Sequence, residues 1–262
     1  MLTRRVLLDS AALRVTEVRC RGGASRWSRP EPVTSFAIVL PRRGVFRRRV
    51  AGSTVVIDPA SGYVQMPGTE QQISHPAGGD VCTSITLPGW HDQHAPAAPA
   101  RLTPRLGLAH RLLLARAAAG ADQVELADLA IDLAAAVFAG DPQPPSRHSR
   151  ARRSIVNGAR EILAAEPASP LAEIAMRLSV SPWYLSRLFH QVTGTTLRRF
   201  RIQLRIIATL DSLATGDTPP TLAMLAAEVG FADQAHLTRA LRAETGYTPG
   251  RLRTLLGRRW PG

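Results

Sequence analysis

The chain has 262 residues, long enough for two domains that each bury a core, and its 45% hydrophobic content excludes a disordered polymer. No apolar run approaches a membrane span, no secretory signal opens the chain, and two cysteines do not make a disulfide framework, so a reducing cytosol is expected. The net charge is +13 with every basic residue an arginine, and the excess is uneven: seventeen arginines stand against eight acids in residues 146–262, but sixteen against twelve before that. Affinity for a polyanion is therefore expected mainly of the second half.

Residues 1–97 read as β structure. The candidate strands are Val6–Leu8, Leu13–Arg19, Thr34–Leu40, Gly44–Val50, Thr54–Ile57, Gly62–Gln65, Gln71–His75 and Val81–Leu87. Turn signals separate them at Gly22-Gly23, Pro41 to Gly44, Ala51-Gly52, Asp58-Pro59, Pro67-Gly68 and Pro76 to Gly79. Many short strands at regular spacing predict a β-barrel or sandwich. Its interior could hold a small molecule, lined by Trp27, Phe36, Ile38, Phe46, Tyr63 and Cys82, or the same side chains could simply fill the core. The run Arg47-Arg48-Arg49 reads as a solvated sheet edge, with contact to DNA or to an anionic effector as the alternative. Cys20 and Cys82 with His75, His91 and His94 invite a zinc or thiol-sensor site. Their spacing fits no zinc motif, so no metal is expected and the thiols are read as small buried apolar groups.

Residues 88–101 carry three prolines and several alanines and read as an irregular crossing. Two helices follow, Leu102–Ala119 and Val124–Phe138, in a segment placed at 98–140. Residues 141–150, rich in proline, read as a semi-rigid linker. The segment 151–262 is predicted all-helical. Ser154–Ala165 opens it, with Ile155, Ala159, Ile162 and Leu163 inward. A short helix from Ser169-Pro170 turns Leu171, Ile174, Ala175 and Leu178 inward. Ser181 caps the next, Pro182 is its first residue, and Gly194 stops it. That helix buries Leu185, Leu188, Phe189 and Val192, which leaves Trp183, Ser186, Arg187 and His190 on the opposite face. The pair is a helix-turn-helix.

The pattern then returns. Leu222, Leu225, Ala226 and Val229 repeat the first stripe at an offset of 51 residues, and Leu237, Arg239, Leu241 and Gly246 repeat the second helix at 52. The extra residue falls in the turn Gly230–Asp233. Thr196–Ala214 joins the two units, with Leu197, Phe200, Leu204 and Ile207 inward and Arg198, Arg199 and Arg201 adding charge. The tail runs out at Arg258-Arg259-Trp260.

These residues resemble the AraC/XylS family of bacterial transcription regulators over about residues 150–256. The resemblance rests on Leu171-Ala172-Glu173-Ile174-Ala175, Ser181-Pro182, Leu185-Ser186-Arg187-Leu188-Phe189 and Thr193-Gly194. It continues in Arg205-Ile206, Ala208, Leu213, Ala226-Ala227-Glu228-Val229-Gly230-Phe231, Gly246-Tyr247-Thr248-Pro249 and Arg253. Ala235, His236, Leu237 and Leu241 depart from the usual residues. The β half resembles, more weakly, the cupin-like sensing domain of that family: Gly62 to Gly68 is close to a cupin motif, with Gln71 or Gln72 near the place of its metal-binding histidine.

The resemblance implies a multi-domain α and β architecture. It comprises an N-terminal cupin-like β-barrel or sandwich, a helical dimerisation segment, and a C-terminal, homeodomain-like double helix-turn-helix. It implies a non-enzymatic, cofactor-free regulator of promoter DNA in the bacterial cytoplasm, at the nucleoid, with RNA polymerase as a partner. A homodimer through the N-terminal half and a small-molecule effector are implied as well, the effector set being Trp27, Phe36, Phe46 and Tyr63. Trp183, Ser186 and Arg187 match DNA-contact positions of the first unit, and Gln234, Thr238 and Arg239 those of the second. Arg187 and Arg239 suit guanine or phosphate and Gln234 suits adenine, while His190 and Arg242 face phosphates. Thr193 and Thr248 stand near helix ends, where they could donate to phosphate or serve the fold alone.

Overall fold

A computed structural model describes residues 2–22, 26–90, 99–139, 149–215 and 221–256. Residues 141–148 of the predicted linker, His91, His94 and the tail from 257 lie outside the described residues.

The alternation of strand side chains organises the β half. In β4 (Ala37–Arg43), Ile38 and Leu40 face one side and Val39 the other. Both sides are covered, so the strand is buried almost throughout. It lies inside a six-stranded antiparallel sheet. Its companions are β1 (Leu2–Asp9), β2 (Arg14–Cys20), β7 (Ser61–Gln65), β9 (Asp80–Thr86) and β10 (Ala100–Arg101), in the order β1-β2-β9-β4-β7-β10. A four-stranded sheet, ordered β3-β8-β5-β6, faces it, built from β3 (Glu31–Pro32), β5 (Phe46–Val50), β6 (Ser53–Ile57) and β8 (Glu70–Ser74). Val39, Phe46, Ile57, Tyr63 and Cys82 form an apolar cluster with partly buried Val55 and Ile73, drawn from both sheets. Strands β3 and β10, two residues each, were not foreseen. Pro41 lies inside β4 and does not begin a turn; β7 pairs only as far as Val39, so no ladder bond to β7 needs the missing N–H. The chain turns instead at Gly44, where φ is +80°.

Two expectations for the β half are corrected. Strand β5 runs between β8 and β6, so Arg47, Arg48 and Arg49 are not on an edge. Arg48 is buried, donates to Gln71 Oε1 at 2.9 Å and stacks 4.4 Å from the Tyr63 ring. Its guanidinium pKa is lowered by burial. Arg49 stacks 3.9 Å from the Trp27 ring, and Arg47 reaches Glu161. Phe36 and Ile38, in turn, belong to the cluster on the helix-covered side of the six-stranded sheet.

That side is covered by α1 (Pro104–Ala118), capped by Thr103, and α2 (Gln123–Phe138), capped by Asp122. Leu113, Leu126, Leu133 and Val137 join Leu8, Val15, Ile38 and Ile85 in one core. The opposite flank of α1 meets the long helix α6 (Leu197–Thr215): Leu108 packs with Ile206, Leu210 and Leu213. A Cβ at Gly107 would lie 3.4 Å from Ile207, in ordinary van der Waals contact, so the two helices already run close together there. Helix α2 leaves Val124 and Ile131 exposed.

The remaining helices are α3 (Arg150–Ala165), α4 (Leu171–Arg177), α5 (Pro182–Thr193), α7 (Leu222–Val229), α8 (Gln234–Thr245) and α9 (Pro249–Leu255). Helix α3 starts before the expected Ser154, capped by Ser149, and buries Val156 while Ile155 is only partly covered. Pro170, not Ser169, precedes α4; the Ser169 hydroxyl goes to Glu166. The α4–α5 and α7–α8 hairpins share one turn. Val180 N–H bonds Ala175 C=O at 3.0 Å, and Phe231 N–H bonds Ala226 C=O at 2.8 Å. The residue before each is left-handed: Ser179 at φ +56°, Gly230 at φ +86°. Ala232 is then the extra residue before the cap, Ser181 in one unit and Asp233 in the other.

The two halves of the chain meet through buried charge. Asp211 of α6 is buried and receives Arg42 at 3.0 Å, Arg111 at 3.6 Å and Arg43 in a short ion pair. Glu17 holds Arg42 from the other side at 2.7 Å. Burial pushes the Arg111 guanidinium down to about 10, against the pull of Asp211, and it remains charged at neutral pH. Burial, then Arg111, pushes His110 well below its ordinary value, so it is neutral. Its Nδ1 faces the Arg111 donor at 3.3 Å, which leaves Nε2–H to bond Thr83 Oγ1 at 2.7 Å. A second contact joins Arg160 of α3 to Asp58 at 2.7 Å, and a third joins Arg47 to Glu161. In the last, the Glu161 hydrogen bond raises the Arg47 pKa.

Asp211→Ala strands buried guanidiniums without their carboxylate and is expected to cost about 3–5 kcal/mol, read as a lower urea midpoint at unchanged slope. The hairpin turns predict opposite signs. Gly230→Ala forces a side chain into a left-handed residue and should cost about 1–2 kcal/mol. Ser179→Gly relieves that strain and, less the added chain entropy, should gain under about 1 kcal/mol in the same titration.

Candidate nucleic-acid interface

Each hairpin offers its second helix. In the first, Ser181 Oγ accepts the Tyr184 N–H at 3.1 Å, and Gly194 ends α5 at φ +69°. Leu185, Leu188 and Phe189 are buried against Ile174 and Ala175 of α4, Leu163 of α3 and Leu204 of α6. In the second, Asp233 Oδ1 accepts the His236 N–H at 2.6 Å, and Gly246 ends α8 at φ +83°. Leu237 and Leu241 are buried with Leu225, Phe231 and Leu252. The inward stripes are therefore as the periodicity predicts.

The outward faces follow from them. Trp183, Ser186, Arg187 and His190 of α5 are all exposed, Trp183 at 68%. The Arg187 guanidinium stands 5.3 Å from the Trp183 ring, within cation–π range, so the two side chains form one exposed cationic surface. On α8, Gln234, Arg239 and Arg242 are exposed and Thr238 is half-buried. A helix face of arginine, amide and hydroxyl donors beside an indole has the chemistry that base edges and phosphates accept.

The threonines near the helix ends serve the fold. Thr193 Oγ1 donates to Phe189 C=O and accepts the Thr195 N–H; Thr245 does the same with Leu241 and Tyr247. Thr248 caps α9 through the Arg251 N–H. The arginines of α6 are also partly committed. Arg199 pairs with Glu244 of α8, Arg201 donates to Ala168 C=O, and Arg205 donates to Pro167 C=O beside the Phe231 ring; Arg198 is exposed. Sequence reasoning missed Arg101, which donates to Thr193 C=O at 2.6 Å and so ties the end of α5 to β10. No local pattern marks that contact, because it spans 92 residues.

The four effector candidates are not brought together. Phe36 stacks on Phe138 under the helices. Phe46 and Tyr63 meet edge-on at 6.1 Å in the inter-sheet cluster. Burial raises the Tyr63 phenol well above its ordinary value. Trp27 lies apart from both, beside Arg49, and lines a groove with Arg47, Arg150 and Asn157. Near the place of the cupin motif's histidine, Gln71 instead accepts from Arg48. Cys20, His75 and Asp80, by contrast, converge although their spacing carried no signal. Cys20 is half-buried, unlike the fully buried thiol expected, and Cys82 is buried.

A helix-turn-helix domain family matches residues 174–254. ToxT of Vibrio cholerae, solved with a bound unsaturated fatty acid, is similar over 95% of this chain and 97% of its own, at 11% identity and a TM-score of 0.35. The C-terminal domain of AraT, a response regulator from Geobacillus stearothermophilus, is 25% identical over 42% of this chain and 88% of its own, with a TM-score of 0.35. A cupin superfamily protein from Desulfitobacterium hafniense covers 34% of this chain and 78% of its own at 14% identity and a TM-score of 0.30. No curated protein matches the sequence. With its paired hairpins and their matched turns, the chain carries at residues 174–254 a helix-turn-helix domain.

Proposed function

We propose that the chain is a sequence-specific transcription regulator of the AraC/XylS type, in which α5 and α8 read neighbouring major grooves. The observation that carries this is the pair of near-duplicate hairpins, each with an exposed, arginine-bearing second helix. Helix α6, of 19 residues, is about 28 Å long at 1.5 Å per residue. That length suits two reading helices about 34 Å apart, one duplex turn. Arg187 and Arg239 take guanine or clamp phosphate, Gln234 takes adenine, and Trp183, Ser186 and Thr238 complete the contact. His190 and Arg242 hold phosphates.

The β half supplies the input. The Trp27 groove, with Arg47 and Arg49 in its wall, suits a small anionic effector better than the dispersed aromatic set. Its signal has a direct path, since Arg47 holds Glu161 of α3. The exposed Val124 and Ile131 of α2 give a homodimer its contact. RNA polymerase is the partner through which such a regulator acts, on chromosomal DNA in the bacterial cytoplasm.

Selecting promoter fragments with the full chain, followed by sequencing, should return one recurrent site. Hydroxyl-radical footprinting should then protect two patches on one side of the duplex, about one turn apart. Protection with no sequence preference overturns the reading in favour of a general basic DNA coat. On the selected site, Arg187→Ala and Arg239→Ala should each cost about 1–3 kcal/mol in a gel-shift titration at fixed salt, with circular dichroism unchanged.

A further inference from the structure

We propose that Cys20, His75 and Asp80 form a zinc(II) site at one end of the space between the two sheets. One ligand atom from each lies within 4.8 Å of the other two. The topology makes the cluster. Cys20 ends β2, Asp80 begins β9, and the two are cross-strand partners. His75 follows β8 directly, on the connection that carries the chain from the four-stranded sheet to the six-stranded one. The backbone is drawn tight around them. A Cβ on Gly79 would fall 2.2 Å from the Cys20 carbonyl oxygen, and one on Gly44 would fall 2.8 Å from Asp80 Cα.

A separate observation points to a missing ligand. The Asp80 side chain is 6% exposed, and its Oδ1 has no hydrogen-bond partner among the described residues. His75 Nε2 pairs with that oxygen at 2.6 Å, so the imidazole and the carboxylate already meet at the place the ion would take. The other oxygen, Oδ2, is occupied, since the Cys82 thiol donates to it at 3.0 Å. That bond orients the carboxylate with Oδ1 toward Cys20 and His75. The Phe46 ring, 5.7 Å from the imidazole, walls the site on an apolar side.

The donor set selects the metal. A thiolate, an imidazole and one carboxylate suit zinc, whereas magnesium and calcium prefer oxygen alone. Zinc bonds of about 2.0–2.3 Å at tetrahedral angles put ligand atoms about 3.3–3.8 Å apart, so the His75–Asp80 pair must open from 2.6 Å while the cluster as a whole, already within 4.8 Å, draws in around the ion. Three protein ligands leave a fourth position for water, which makes the ion exchangeable. The site is distinct from the cupin motif near Gln71, where Arg48 already supplies a positive charge. It does not depend on the DNA-binding reading.

The test uses the full chain, stripped with a chelator under reducing conditions and titrated with cobalt(II). One equivalent should give tetrahedral d–d bands and a thiolate-to-cobalt charge-transfer band, and zinc(II) should bleach both. Cys20→Ser should abolish the charge-transfer band. His75→Ala and Asp80→Asn should each weaken binding, and Cys82→Ser should leave the charge-transfer band in place. Far-ultraviolet circular dichroism checks the fold of each variant. The wild-type chain should also melt at a higher temperature with zinc, an increase that His75→Ala removes. Absence of a band in the wild-type chain overturns the site. So does a band that survives Cys20→Ser, or one that disappears with Cys82→Ser.

Discussion

Asp211 is the carboxylate on which the arrangement of the two halves turns. It belongs to α6, the helix that both hairpins share, and it is buried against Arg42 and Arg43 of β4 and Arg111 of α1. A buried cation is tolerated only when paired, and a buried carboxylate likewise, so each group makes the others' burial possible. Apolar packing of Leu108 on Ile206 and Leu210 provides adhesion, but it is not directional. The ion cluster supplies the register. Glu17 extends it into β2, so the charge network runs from inside the six-stranded sheet to the long helix of the helical half. The contacts of Arg160 with Asp58 and of Arg101 with Thr193 then orient α3 and the end of α5 on the same β framework.

Within the helical half, one design is met by different residues. Both turns need a left-handed residue and a backward hydrogen bond from the next N–H. The second unit meets the first need with glycine, and the first unit bears a serine in the strained region. Both units use threonine in the last turn of the second helix to bond its own backbone and the chain beyond it. The physical demands of the hairpin are thus duplicated, while the outward residues differ: tryptophan, serine and histidine in one, glutamine and threonine in the other. Two faces of unlike chemistry on equivalent frames suit an asymmetric recognition site.

Much of this was legible before any coordinates. Helical periodicity located α5 and α8 and separated Leu185 from Arg187 and Leu237 from Arg239, because a 3.6-residue repeat assigns faces by arithmetic. Strand alternation located most of the β elements in the same way. What alternation cannot supply is which side of a strand meets which neighbour. Phe36 and Phe46 look alike in sequence, yet one lies under α2 and the other between the sheets. Arg47-Arg48-Arg49 looks like an exposed edge until the strand order places β5 inside its sheet. Cys20, His75 and Asp80 are joined by register alone, and β3 and β10 are too short to carry any pattern.

The absence of lysine has a consequence for how the halves could part. Every cation seated on Asp211 is a guanidinium, and even the most deeply buried, Arg111, is lowered only to about 10. Acidity changes in a living cell will not neutralise that cluster on its basic side, and the neighbouring imidazole of His110 is already uncharged. Uncoupling must therefore be mechanical: a rival anion that draws a guanidinium away, or a shift of β4 that carries Arg42 and Arg43 out of reach.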